Sequence, residues 1–213
     1  MKVKDRIAET TFTLSLKYGF DNVSLKQIET EANATTGAIY YHFKDKNAIL
    51  AYIIEKYLSN EIENFQKIIE NYEAPIIEKL RFIFYYHTGL DISNKSKDLN
   101  ILNNSEAIDL LDITNTNYKE YYLFLMGSYH EHPELRPLHH EMNHEFFKFY
   151  NELVEKSMKK NEIRTDLSAY DMALHIYTVM MGFITISIIS SDFTNEEMIE
   201  KDLAAIWEYI KPQ

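Results

Sequence analysis

Residues 23–50 read VSLKQIETEANATTGAIYYHFKDKNAIL. Ser24-Leu25-Lys26-Gln27 is a capping box: the Ser24 hydroxyl takes an amide of the first helical turn and Gln27 reaches back. A short helix carrying Ile28 and Ala32 on its inner side is expected to follow. Asn33 interrupts it, as a residue that tolerates the left-handed backbone of a tight turn. Thr35 or Thr36 caps the next short helix, which runs to Phe43, and Asp45 caps a long amphipathic helix to about Asn71. Two short helices joined by a tight turn form a helix-turn-helix.

Upstream, apolar residues at Ile7, Phe12 and Leu16 place a helix over about Val3–Tyr18. Gly19 and Phe20 read as a Schellman stop. Three helices in 43 residues then present the third with Thr35 and Thr36 at its start, whose hydroxyls and free amides suit a phosphate. Gly37 and Ala38 are small enough to bring backbone close to a groove wall. Tyr40, Tyr41, His42 and Lys46 follow, each able to hydrogen-bond a phosphate.

This stretch resembles the TetR family of transcriptional regulators, most densely at Thr36-Gly37-Ala38-Ile39-Tyr40-Tyr41-His42-Phe43 with Lys46 and Leu50, and earlier at Ile7, Ala8, Gly19 and Phe20. Asn33 stands where the family places glycine, Ala34 replaces a valine, and Glu29 replaces an alanine. The resemblance implies that Ser24 and Lys26 touch phosphate and that Thr36 and Ala38 face base edges. Tyr41 reaches a base or phosphate, and Tyr40, His42 and Lys46 clamp the backbone. It also implies a double-stranded DNA operator read by a homodimer, and a small-molecule effector.

Composition agrees with an all-helical chain. Five glycines and four prolines in 213 residues are too few for the turns of a sandwich or barrel. With 46% apolar residues the chain folds, and without cysteine it has no disulfide scaffold, thiol nucleophile or cysteine-ligated metal. No signal sequence opens it, so a cytoplasmic location is expected. The net charge of −11 is uneven: the first 46 residues hold seven basic and six acidic side chains. Residues 1–46 therefore read as a near-neutral module and residues 47–213 as an acidic body, which the resemblance implies are a DNA-binding domain and an effector-binding and dimerisation domain. The expected fold is all-α, a three-helix helix-turn-helix followed by a larger helical body, with about nine or ten helices in all.

In that body, Pro75 suits the first turn of a helix ending near Gly89. Residues 92–117 read as a loop with one short helix. Helices follow at about 118–130, 134–161, 168–191 and 195–211, with Ser168/Asp171 and Thr194/Glu197 as capping pairs. Residues 172–191 carry no Asp, Glu, Lys or Arg. Their serines, threonines and His175, and the lack of basic anchors, argue against a membrane span. A buried helix that meets a partner is expected instead. The dimer surface is assigned to Ile176, Met180, Gly182, Phe183, Leu203, Ile206, Trp207 and Ile210. The effector site, for an apolar or aromatic molecule, is assigned to Tyr85, Tyr86, His87, Tyr122, Met126, His139, Met142 and Phe146.

One rival reading is enzymatic. His140-Glu141-Met142-Asn143-His144 matches the H-E-x-x-H pattern of zinc hydrolases, in which two helical imidazoles hold the metal and Glu activates water. On a helix, however, Leu135, Leu138, Met142, Phe146, Phe149 and Leu153 share one face, which turns His140 and His144 toward solvent and leaves His139 at the edge of the buried side. No catalytic residue, metal or cofactor is therefore expected.

Overall fold

The computed structural model describes residues 2–88, 118–190 and 196–213. They contain helices and connecting turns and no strand. In chain order the helices are α1 (Val3–Tyr18), α2 (Leu25–Glu31), α3 (Thr36–His42), α4 (Lys46–Tyr52), α5 (Ser59–Asn71), α6 (Ile76–Thr88), α7 (Tyr118–Glu131), α8 (Arg136–Lys159), α9 (Ala169–Ile189) and α10 (Glu196–Ile210). The short helix expected within 92–117 and the Thr194 cap lie outside the described residues. The chain divides into two compact units, residues 1–64 with 120–144, and residues 65–119 with 145–213.

In the first unit, Ile7, Ala8 and Phe12 of α1, Ile28 and Ala32 at α2, and Ile39 and Phe43 at α3 form one dry core. Helix α1 ends at Gly19, but not in a Schellman motif. Gly19 has φ 79° and ψ 140°, outside the left-handed helical well, and its N–H bonds back to the Ser15 carbonyl. Its extended ψ leads straight into a 3-10 turn over Phe20–Asn22 that buries Phe20. The capping box is present: Ser24 N–H donates to Gln27 Oε1 at 2.8 Å, and Gln27 N–H donates to Ser24 Oγ at 3.2 Å. Asn33 has φ 44°. Asp45 accepts from the Ala48 N–H at 2.8 Å and starts α4.

The run from α4 to α5 is not uniform. Residues Ile53–Leu58 form a π-helical stretch between the two α-helices. Ile53, Ile54 and Leu58 stay buried through it. The sequence carries no mark of this widening because the apolar spacing continues unbroken across it. The same unit holds most of α7 and the start of α8. Phe12 meets Phe124 edge-on at 5.2 Å, and Phe20 meets His132 at 5.3 Å.

The second unit is held by a few directed contacts laid over an apolar core. Pro75 sits one residue before α6, its carbonyl accepting from Glu78 and Lys79, while the free Ile76 N–H donates to Glu162 at 3.1 Å. Arg81 pairs with Glu78 and, through Nε at 3.0 Å, with Glu200. Ser168 caps α9 by accepting from the Asp171 N–H. By length and composition α9 could cross a membrane. Here it packs into its unit through Met172, Ala173, Ile176, Met180, Phe183 and Ile184.

Candidate nucleic-acid interface

The α2–turn–α3 segment is shaped by local chemistry and pinned by one long-range clip. Thr35, not Thr36, is the cap of α3; its Oγ1 accepts from the Ala38 N–H at 3.1 Å. Arg6, on α1, donates from Nε to the Ala32 carbonyl at 2.8 Å and from Nη2 to the Asn33 carbonyl at 3.3 Å. These carbonyls end α2 and have no helical partner, so the guanidinium satisfies them and fixes the turn. Sequence reasoning missed this role: Arg6 counted there only as a charge, and nothing local reveals a contact 26 residues away.

With Ile39 and Phe43 turned inward, the opposite side of α3 is open. Ser24, Lys26, Thr35, Thr36, Gly37, Tyr40 and Tyr41 are exposed, and Ala38 and His42 are half-buried. Tyr41 stands 84% exposed and Tyr40 53%, with the His42 ring edge-on to Tyr41 at 4.9 Å. Apolar rings left in water at the end of a short helix are costly unless something covers them. A methyl built on Gly37 would meet only Thr35 Oγ1, at 3.9 Å, so no internal contact demands glycine there.

Lys46 departs from expectation. Its ammonium donates to the Phe20 carbonyl and, at 3.2 Å, to the Asp21 carbonyl, and lies 4.3 Å from the Phe20 ring centre. Partial burial lowers its pKa, with Asp21 opposing the shift. Lys4 sits over the Tyr52 ring at 4.0 Å. Arg6, Lys46 and Lys4 thus reach back into the unit, whereas Lys26, 85% exposed, stays on the surface beside Glu29.

Glu29, which stands where the resemblance places an alanine, is the second residue whose role the sequence does not show. Its carboxylate accepts the hydroxyl hydrogen of Thr36 and lies 3.6 Å from Lys26 Nζ, with the side chain only 15% exposed. It is turned away from open water.

The residues assigned to an effector are divided between the two units. In the second unit His87 is buried among aromatic rings, with Phe65 and Tyr86 at 5.2 Å and Phe146 at 5.6 Å. Neither of its ring nitrogens has a hydrogen-bond partner among the described residues, and burial pushes its pKa down to about 3. Tyr85 is committed elsewhere, donating from its hydroxyl to Glu200 at 2.9 Å. Tyr122, His139 and Met142 are buried in the first unit, where His139 Nε2 lies 3.1 Å from Ser128 Oγ. Burial, with a smaller push from His140, lowers the His139 pKa. Met126 is 56% exposed, so it lines no interior surface there.

The dimer assignment is corrected in a similar way. Ile176, Met180, Phe183, Leu203, Ile206 and Ile210 are all buried inside their own unit and cannot meet a second chain. Gly182 is exposed and Trp207 half-buried. The outward strip of α9 is Leu174, Thr178, Gly182, Thr185, Ile186 and Ile189. His140 and His144 are exposed beside a buried Met142, with the His140 ring stacked on Tyr129 at 5.8 Å. Among the described residues no three His, Asp or Glu side chains converge to hold a metal ion.

Residues 7–53 match the family model of bacterial regulatory proteins of the tetR family. An HTH-type transcriptional regulator of Staphylococcus aureus (strain bovine RF122 / ET3-1) is 30% identical over 93 residues, 44% of this chain and 50% of its own. The chain thus spans about half the length of the curated relatives it matches. Among solved structures, a TetR-family transcriptional regulator from Cytophaga hutchinsonii superposes with a TM-score of 0.69 at 16% identity, covering 98% of this chain and 94% of its own. A transcriptional regulator from Saccharomonospora viridis, in complex with choline, superposes with a TM-score of 0.71 at 16% identity, covering 97% and 96%. With the helix-turn-helix built as described, residues 7–53 form a helix-turn-helix segment of the tetR-family type, and the chain as a whole shares the fold of these solved regulators.

Proposed function

We propose that the chain is a cytoplasmic transcriptional regulator, acting as a repressor. It binds a pseudo-palindromic DNA operator as a homodimer and leaves it when a small molecule binds. The observation that carries this reading is the outer side of α3. Thr35, Thr36, Gly37, Tyr40 and Tyr41 are exposed there on a helix whose inner side is locked into a core and whose turn is clipped by Arg6. A recognition helix must be rigid behind and open in front, and phosphate contacts must flank its base-reading turn. Residues 1–46 act as the DNA-binding module and the remainder as the sensing and pairing body.

One such module meets few phosphates, so useful affinity at physiological salt needs two on one site. The apolar outer strip of α9, with Leu174 and Ile186 each 43% exposed and Gly182 open between them, supports pairing with the same strip of a second copy. The ring cluster around His87 supports an apolar or aromatic effector, whose polar atom the neutral imidazole would meet. The Saccharomonospora regulator was solved with choline, so a protein of this fold holds a small molecule. An effector releases DNA only through its unequal affinity for the two states; a hundredfold loss of DNA affinity needs about 2.7 kcal/mol.

The test is selection of duplexes from a random pool by the purified chain, followed by footprinting. A two-fold symmetric site is expected, with half-sites about one helical turn or a multiple apart. Lys26→Ala should weaken binding to every sequence and reduce the salt slope by about 1 per module. A footprint without two-fold symmetry, or binding indifferent to salt, would refute the reading.

A further inference from the structure

The Glu29–Thr36 contact has a consequence for which base is read. A threonine hydroxyl owns one hydrogen. In this structure that hydrogen goes to the Glu29 carboxylate, across the turn from α2 to α3. The other carboxylate oxygen is held by Lys26, 3.6 Å away on the preceding turn of α2. Glu29 is largely covered while both of its partners are exposed, so the acid lies behind the reading surface and Thr36 in front of it. What Thr36 has left for a ligand is an oxygen lone pair and a methyl group.

We propose that Glu29 is a specificity-determining residue that makes Thr36 a hydrogen-bond acceptor only; the inference rests on the DNA-binding reading above. In the major groove adenine and cytosine each present an amino group, and thymine presents a methyl. Guanine presents N7 and O6 there, both acceptors. Thr36 held by Glu29 pairs with an amino group or packs on the thymine methyl, and it sets oxygen against oxygen at guanine. An alanine at position 29 would free the hydroxyl to turn and donate, which removes the exclusion. A glutamine keeps an acceptor oxygen at the same reach, and so preserves the orientation without the charge.

The experiment is duplex selection and sequencing with the full chain in three forms: wild type, Glu29→Ala and Glu29→Gln. The wild type is expected to exclude guanine at one symmetric position in each half-site. In Glu29→Ala guanine should rise there by about fivefold or more relative to the other bases, the size of a single base-contact discrimination. Glu29→Gln should keep the wild-type preference. Circular dichroism shows whether each variant keeps its helices, and Glu29→Gln guards against a fold defect in the alanine form. If the wild type selects a site and Glu29→Ala selects it with the same base preferences, the inference falls and the DNA-binding reading stands. If the wild type retains no duplex at any salt, both fall.

Discussion

His87 sits among aromatic rings with both nitrogens unpartnered among the described residues, and that makes the stability of the chain depend on pH in a calculable way. In the unfolded chain its imidazole takes a proton near the ordinary value of 6.5, whereas the buried ring, pushed down to about 3, stays neutral. Between those values the unfolded state binds one more proton than the folded state. Stability therefore falls as the pH drops below 6.5, by about 1.4 kcal/mol per pH unit, and the loss levels off near the folded value. At pH 5 the loss from this one group is about 2 kcal/mol, while at pH 7.5 it is close to nothing. Complete burial means that solvent screening gives no discount. In His87→Phe the ring contacts with Phe65, Tyr86 and Phe146 are kept and the titration is removed. The variant should be the more stable form at pH 7.5, since two unsatisfied polar atoms are gone. Its lead over the wild type should then widen by about 2 kcal/mol on going to pH 5. Urea unfolding followed by the fluorescence of Trp207, the one tryptophan of the chain, measures both at each pH. Other titrating groups cancel in the difference between the two proteins. Parallel pH dependences would show that His87 reaches a hydrogen bond or water in solution, and the reasoning would fail.

Two further outcomes are open to direct measurement. Gly37→Ala should raise the melting temperature, since alanine is favoured over glycine in a helix by about 1 kcal/mol and the added methyl meets nothing closer than 3.9 Å. It should weaken operator binding if backbone approaches the groove wall there; unchanged affinity would remove Gly37 from the interface. Ile186→Glu places a charge on the outer strip of α9 and should give a helical monomer by sedimentation, with operator affinity that falls steeply on dilution. A variant that stays dimeric would move the pairing surface off α9.

What could be read directly from the chain was whatever depends on neighbours within a turn or two. Ser24 with Gln27, Asn33 in the turn, Asp45 before α4 and Ser168 before α9 are local bonds, and each is present. The inward faces of the first three helices follow the same logic, because Ile7, Phe12, Ile28, Ile39 and Phe43 recur at helical spacing. Even local reading has limits: two adjacent threonines could each cap α3, and only the register of the helix chose Thr35. Gly19 likewise marked the stop of α1 without specifying its ψ.

Tertiary structure decided where charge and exposed apolar surface end up, since neither is a property of one helix. Counting cations could not separate Lys26, exposed beside Glu29 three residues on, from Lys46 and Arg6, whose donors are taken by carbonyls 25 to 27 residues away. Helix α9 is apolar on every side, so its sequence carries no direction, and six of the eight residues assigned to a partner are core while Gly182, Leu174, Ile186 and Ile189 face out. The aromatic residues pooled as one effector site fall in two different units for the same reason. Local hydrogen bonds and apolar period are written in adjacent residues and determined the helices and the reading head. Which side chains remain unspent is settled only when distant segments meet, and Glu29 beside Thr36 exists only in the folded turn.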